Sequence, residues 1–389
     1  MERKRLGLIV NPIAGIGGRV GLKGSDGPEV QQRAFALGAQ PRSGERATAA
    51  LEPLRPLALD IELLAAAGGM GETAARNAGF HPRVVPLPGP GAGAPARTTP
   101  DDTRRAARAM RAAGADLILF AGGDGTARDM LDAVGDGVPV LGIPSGVKMH
   151  SAVYAVNPRS AGELAADYLR DGRARLRPAE VIDLDEDRYR RGEIVTILHG
   201  YLKVPYRRGA VQNQKVPTPA GEEAQAQAIA VEVVERMEPG RAYLLGPGTT
   251  TRAVAEHLGL PKTLVGVDLL TRDELLAADV AERQILEMQE QRPLGLILTP
   301  IGGQGFLLGR GNQQISPEVI RRVGKANLLV LCLPSKLAAL QGAPLLVDTG
   351  DPGVDALLAG YVEVITGYRE KAIYRVAAGG EADENRETA

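Results

Sequence analysis

Short apolar runs recur along the chain, and most of them end in glycine. DLILFAGG (116–123), VPVLGIPSG (138–146), RAYLLGPG (241–248) and LGLILTPIGG (294–303) share this design, and RLGLIV (5–10) runs instead into Asn11-Pro12. Four to six apolar residues bounded by Gly or Pro predict a buried strand. Between these runs lie amphipathic segments: PEVQQRAFALGA (28–39), TPDDTRRAARAMRAAGA (99–115), TARDMLDAVG (126–135), GEEAQAQAIAVEVVERM (221–237) and SPEVIRRVG (316–324). Their apolar positions recur at helical spacing. Thr99, and Ser316 followed by Pro317, are helix-start signals. LALDIELLAAAGGMGETAARNAG (57–79) repeats strand, loop and a helix of small residues, and RVVPLPG adds a short strand. Strand, glycine-rich loop and helix in repeated succession predict an α/β fold with a parallel sheet and helices on its faces.

The texture changes near residue 175. RPAEVIDLDEDRYRRGEIVTILHGYLKVPY (177–206) places two extended runs around a charged turn and reads as a β-hairpin. Strand–loop–helix patterning then resumes, NLLVLCLP reads as a buried strand, and two strand-like runs close the chain. The expected organisation is a first α/β domain over 1–170 and a second, β-rich (α+β) domain over 171–375, whose last part is expected to return to the first. The charged tail 376–389 is expected to be disordered, and the Pro/Gly/Ala-rich stretch 86–100 to be a surface loop.

Composition narrows the function. The 389 residues are 44% hydrophobic and 24% charged, enough for a sizeable core and more than one domain. A net charge of -1 gives no basic field for nucleic acid or a membrane surface, and 3% aromatic content disfavours base stacking. No apolar run reaches the length of a membrane span. The opening MERKRLGLIV is broken by Asn11 and Pro12 and reads as a first strand, not a signal peptide. One cysteine, Cys332, fits a reducing cytoplasm and an inert core thiol.

Five glycine-rich loops follow apolar strands: NPIAGIGG, AGGDGT, GIPSG, GPGTTT and TPIGGQG. Glycine lets backbone N–H groups approach phosphate oxygens, and the amino end of a following helix favours the negative charge. Together they predict a ligand with several phosphate groups. AGGDGT is the most specific, because Asp124 stands among its glycines. A carboxylate there repels phosphate unless Mg²⁺ arrives with ATP, or unless Asp124 faces an acceptor hydroxyl and takes its proton. The plain alternative is a turn aspartate bonding its own backbone. Lys148, after Ser145 and Gly146 of GIPSG, is either a phosphate partner or a surface lysine. His150 and His199 are either acid–base groups or ordinary hydrogen-bonding residues. The acidic run Asp183, Asp185, Glu186, Asp187 reads as a solvated hairpin turn more readily than as a Mg²⁺ site. Arg310, between two glycines, suits a bidentate phosphate clamp, and Asp348 and Asp351 suit turns or caps.

Asn11-Pro12 with its trailing glycines, and Gly122-Gly123-Asp124-Gly125-Thr126, resemble the superfamily of NAD kinases, diacylglycerol and sphingosine kinases and phosphofructokinases. LGIPSGVKMHSAVYAVNP, GPGTTTRAVAEHLG and TPIGGQGFLLGRGNQQISPEVI make the chain similar to the ATP-NAD kinase-like branch, some of whose members are associated with acetoin catabolism. The resemblance spans most of 5–375. It implies a Rossmann-like first domain, a β-rich second domain and a nucleotide site in the cleft between them. It implies that Gly122, Gly123, Gly125 and Thr126 line nucleotide phosphates, that Asp124 is the catalytic or metal-linked carboxylate, and that Asn11 shapes the phosphate pocket. Gly248, Thr249, Thr250 and Thr251 resemble the small-hydroxyl loop that NAD kinases write TGSTAY. The implied activity is transfer of a phosphoryl group from ATP, or polyphosphate, with Mg²⁺, to the 2′-hydroxyl of NAD. A homo-oligomer follows by analogy. Two departures stand out: His199-Gly200 replaces the Asn-Glu pair that NAD kinases use for the dinucleotide, and GIPSGVKMH replaces their Asn-x-Gly pattern. Two rival readings therefore stay open: a related kinase of a sugar, polyol or acetoin-related metabolite, and a non-catalytic sensor of nucleotides or phosphosugars.

Overall fold

The computed structural model describes residues 3–22, 27–58, 60–87, 98–147, 149–171, 175–184, 196–206, 222–263, 265–301 and 305–378. The chain divides into two compact units. The first comprises Met1–Ile16, Gly24–Gln31 and Gln40–Gln214, and the second Gly17–Lys23, Gln32–Ala39 and Lys215–Ala389.

Among the described residues, the first unit is built on β1 (Lys4–Val10), β2 (Ile61–Ala65), β3 (Arg83–Val84), β4 (Leu117–Gly122) and β5 (Val140–Pro144). They form one sheet in the order β3-β2-β1-β4-β5, parallel throughout. Strand alternation sends Leu6, Leu8 and Val10 of β1 and Leu117, Leu119 and Ala121 of β4 to one face, where they pack on helices Ser43–Leu51 and Pro158–Asp171. Ile9, Ile118 and Phe120 face the other way, toward helices Pro100–Ala112 and Asp124–Val134. Both faces are covered, so these strands read as near-continuous apolar runs. At the start of helix Pro100–Ala112, where the sequence predicts a cap, the Asp102 carboxylate accepts from the Thr99 N–H and hydroxyl (both 2.8 Å).

The predicted hairpin is β6 (Arg175–Leu184) with β7 (Thr196–Tyr206), antiparallel and bulged beside Gly200. Its inward residues Ala179, Val181, Leu202 and Val204 join the core of the first unit. The hairpin therefore belongs with the first unit and does not open the second, as the expected boundary at 170 has it. The reason is burial: those four side chains complete the apolar layer that also holds Ala127 and Met130. Most of the 86–100 loop, the hairpin turn and most of the tail lie outside the described residues.

The second unit is a larger mixed sheet. Its described strands are β8 (Ala242–Leu245), β9 (Asp268–Leu270), β10 (Leu275–Ala277), β11 (Leu294–Leu298), β12 (Phe306–Leu308), β13 (Leu328–Leu331), β14 (Leu345–Val347), β15 (Gly360–Gly367) and β16 (Glu370–Ala378). The order is β10-β9-β8-β11-β13-β15-β16-β14-β12, with parallel pairing at β8–β11–β13–β15 and at β16–β14–β12. Helices Glu222–Arg236 and Thr249–His257 cover one face, and Glu282–Gln291, Pro317–Val323 and Pro352–Leu358 the other. Ser316 caps its helix as expected, accepting from the Val319 N–H. Cys332 is fully buried, and burial pushes its thiol up to about 12, so it is an inert core group.

Candidate functional site

In the first unit the sheet order reverses between β1 and β4, and the ends of these two strands deliver the residues the sequence singles out. Ligands of open α/β sheets sit at this kind of switch point, beyond the strand carboxyl ends. The Asn11 N–H donates to the Ala121 carbonyl (2.9 Å), which locks the end of β1 to the end of β4. The Asn11 amide donates to Thr126 Oγ1 (3.1 Å), and its side-chain oxygen accepts from the Ile13 N–H (3.2 Å). Asn11 thus fixes both the loop that follows it and the GGDGT turn.

Gly122 is required by packing: a Cβ there would stand 2.4 Å from Thr126 Oγ1 and break the Asn11–Thr126 contact. Gly15 is required twice over, since its φ is +75° and a Cβ would meet the Ser145 carbonyl oxygen at 2.0 Å. Ser145 donates its N–H to the Gly122 carbonyl (3.0 Å), and Gly146 lies against Gly123. Asn11, Gly122, Gly123, Asp124, Gly125, Thr126, Ser145 and Gly146 are therefore brought together. Lys148 lies outside the described residues, as do Asp185, Glu186 and Asp187. Asp183 pairs with Arg128 (3.2 Å).

Asp124 is the first residue of helix Asp124–Val134 and only 6% exposed. Its Oδ2 accepts from the His150 N–H (2.6 Å) and its Oδ1 from the Ser151 N–H (3.0 Å). It is therefore not a turn aspartate bonding its own neighbours: its partners lie 26 and 27 residues away. Burial pushes its pKa up to about 7. The Ser151 hydroxyl and the two backbone N–H groups pull it down, and the negative charge of Asp183 raises it further. A carboxyl poised near neutrality can both lose and accept a proton under ordinary conditions. Ser151 also holds the hairpin: its hydroxyl oxygen accepts from the Ile182 N–H (3.0 Å) and lies 2.9 Å from the Ile182 carbonyl oxygen.

Four supporting side chains lack a local sequence signal. Ser43 donates its hydroxyl to the Asn11 carbonyl (2.7 Å), and Arg46 Nε donates to the Pro144 carbonyl. Both come from a helix whose alanine-rich pattern, next to EPLRPL, has little apolar contrast. Tyr154 is fully buried and donates to the Gly123 carbonyl, while Ser151 sits in an unremarkable polar stretch. All four act mainly on backbone groups, and such roles depend on tertiary position. His199 is exposed on β7. Arg310 is buried, ion-paired to Asp348 (3.5 Å) and stacked over Phe306, and Asp351 caps helix Pro352–Leu358. In the second unit Gly248 is the N-cap of helix Thr249–His257, Thr249 is exposed and Thr250 is buried. Among the described residues no helix is long and apolar enough to cross a membrane.

The first unit is thus an α/β layer with a parallel sheet, covered on both faces, and an acid-bearing glycine turn at its switch point. Residues 6–174 match the family model of the ATP-NAD kinase N-terminal domain, and residues 253–376 that of the ATP-NAD kinase C-terminal domain. The chain belongs to the ATP-NAD kinase family. A comparison with curated proteins found no match. Among solved structures, that of "a putative diacylglycerol kinase from Bacillus anthracis str. Sterne" is similar over 63% of this chain at 13% identity, with a TM-score of 0.25. The match spans 60% of that protein's length.

Proposed function

We propose that the chain is a phosphotransferase that moves the γ-phosphoryl group of ATP, or the terminal group of polyphosphate, to the 2′-hydroxyl of NAD. The observation that carries this reading is Asp124: a buried carboxyl with a pKa of about 7, at the amino end of a helix and at the switch point of a parallel sheet. In the reaction the acceptor O–H gives its proton to the Asp124 carboxylate. The acceptor oxygen bonds to the γ-phosphorus, the bond from that phosphorus to the β–γ bridging oxygen breaks, and ADP leaves. The His150 and Ser151 N–H groups hold the carboxylate in place without consuming all of its acceptor capacity.

Mg²⁺ belongs in this reading to the phosphates of ATP. Both Asp124 oxygens already accept N–H groups, and no three His, Cys, Asp or Glu converge among the described residues. The site residues of the first unit would orient the nucleotide through backbone N–H groups and the Thr126 and Ser145 hydroxyls.

Gly125 supports a ligand at this turn. A Cβ added there meets nothing within 4 Å, so packing does not demand glycine. Gly125→Ala is expected to stabilise the helix by about 0.5–1 kcal/mol. The same variant should bind ATP several-fold more weakly, read by calorimetry beside urea unfolding.

The acceptor is tested with labelled ATP, Mg²⁺ and a panel of NAD, sugars, polyols and acetoin. Labelled NADP is the expected product. Label on a sugar, polyol or acetoin instead would identify the related metabolite kinase, a reading favoured by His199-Gly200 where NAD kinases carry Asn-Glu. Binding without any transfer would identify a sensor.

A further inference from the structure

The β6–β7 hairpin lies between residues 6–174 and 253–376, the two stretches that match the family. It is nevertheless fastened to the helix that opens on Asp124. Gly200 on β7 lies so near that helix that a Cβ there would come within 3.0 Å of Leu131 Cδ2. The pairing shifts register between Val181 and Ile182, and a bulge of this kind re-aims the side chains that follow it. Just past the bulge, the Ser151 hydroxyl oxygen meets the Ile182 backbone, 3.0 Å from its N–H nitrogen and 2.9 Å from its carbonyl oxygen. The next residue is Asp183.

Two connections run from Asp183 to Asp124. The first is mechanical: Ser151 is fully buried, its hydroxyl holds the Ile182 backbone, and its N–H donates to Asp124 Oδ1 (3.0 Å). The second is electrostatic. Asp183 pairs with Arg128 (3.2 Å), and Arg128 stands four residues after Asp124, one turn on along the same helix face. The side chains of Arg128 and Asp183 are 46% and 24% exposed, so salt and water screen the pair only in part. The negative charge of Asp183 favours the protonated form of Asp124, and Arg128 offsets it. Asp129 and Asp132 of the same helix turn instead to Arg104. The other described groups around Asp124 are Asn11 after β1, the glycines at the end of β4, and His150 and Ser151 after β5. Of these His150 is titratable, and it meets the carboxyl through its backbone N–H.

We propose that Asp183 is a positioning residue of the phosphoryl-transfer centre: carried in by the hairpin and balanced by Arg128, it sets the pH at which the Asp124 carboxyl gives up its proton. This role rests on the reading of Asp124 as the proton acceptor. It makes the hairpin part of the site, and Asp183 acts on the reaction without touching the substrate.

Two readouts in the full chain test it. The first is the pH dependence of urea unfolding, each chain compared with the same chain carrying Asp124→Asn, which isolates the Asp124 titration and needs no substrate. The second is the pH–rate profile of transfer from ATP to NAD. In Asp183→Asn the titration is expected to fall by about half a unit to one unit from its parent value of about 7, and the rising limb of kcat/KM to move to lower pH with it. In Arg128→Gln both should move the other way, by about half a unit. Asp183→Glu keeps the charge and should stay close to the parent. Titrations that do not move, or that move in the same direction in Asp183→Asn and Arg128→Gln, would overturn the role of Asp183 while leaving the transfer reading in place. Opposite shifts in the unfolding of a chain that transfers nothing to NAD would uphold the hold of Asp183 on Asp124 and count against the transfer reading alone.

Discussion

Replacing Asp124 with asparagine is expected to lower the rate of phosphoryl transfer about 1,000-fold while leaving the chain folded. Asparagine keeps the size of the side chain but cannot take the acceptor proton. It also has one oxygen where the carboxylate has two. Either the His150 or the Ser151 N–H then loses its acceptor, at a cost of about 1–3 kcal/mol. That cost is small beside the loss in rate, so the two effects separate. Calorimetry should show ATP affinity within a few-fold of the parent, and circular dichroism an unchanged fold. Parallel losses of binding, fold and rate would instead make Asp124 a structural residue.

A second large effect concerns stability against pH. The folded-state pKa of Asp124, about 7, lies above the ordinary aspartate value of 3.8. Between these values the folded chain holds a proton that the unfolded chain has released. The stabilisation from this group is complete below about pH 4 and is lost as pH rises through about 7. Asparagine stays neutral throughout. The unfolding free energy of the parent minus that of Asp124→Asn should therefore fall by roughly 4 kcal/mol between about pH 4 and pH 8. Urea unfolding of the two chains at matched pH measures it. A difference independent of pH would mean that Asp124 is ionised in the folded chain at every pH tested.

The sequence carries the local half of this site and little of the rest. Apolar runs ending in glycine were enough to find the strand ends, because strands buried on both faces leave a continuous apolar signal. Asn11 and Gly122 through Thr126 were legible for the same reason: they are the residues that turn the chain where β1 and β4 stop. Ser145 and Gly146 follow β5 in the same way. Ser43, Arg46, Ser151 and Tyr154 were not legible, since each is defined by a partner between 31 and 98 residues away. The hairpin was visible as a hairpin, but its place in the first unit rests on four inward side chains meeting a distant core, which alternation alone does not reveal. Arg310 looked like a phosphate clamp from its glycine neighbours, whereas the fold ties it to Asp348 and Phe306.

The most direct measurement of the central claim is the pH–rate profile of transfer from ATP to NAD. In the parent chain kcat/KM is expected to rise through about pH 7 and level off above it, as the Asp124 carboxylate becomes the proton acceptor. In Asp124→Asn the residual rate should show no such limb. A parent profile flat from about pH 5.5 to 8.5, or equal rates in the two chains, would contradict the role assigned to Asp124.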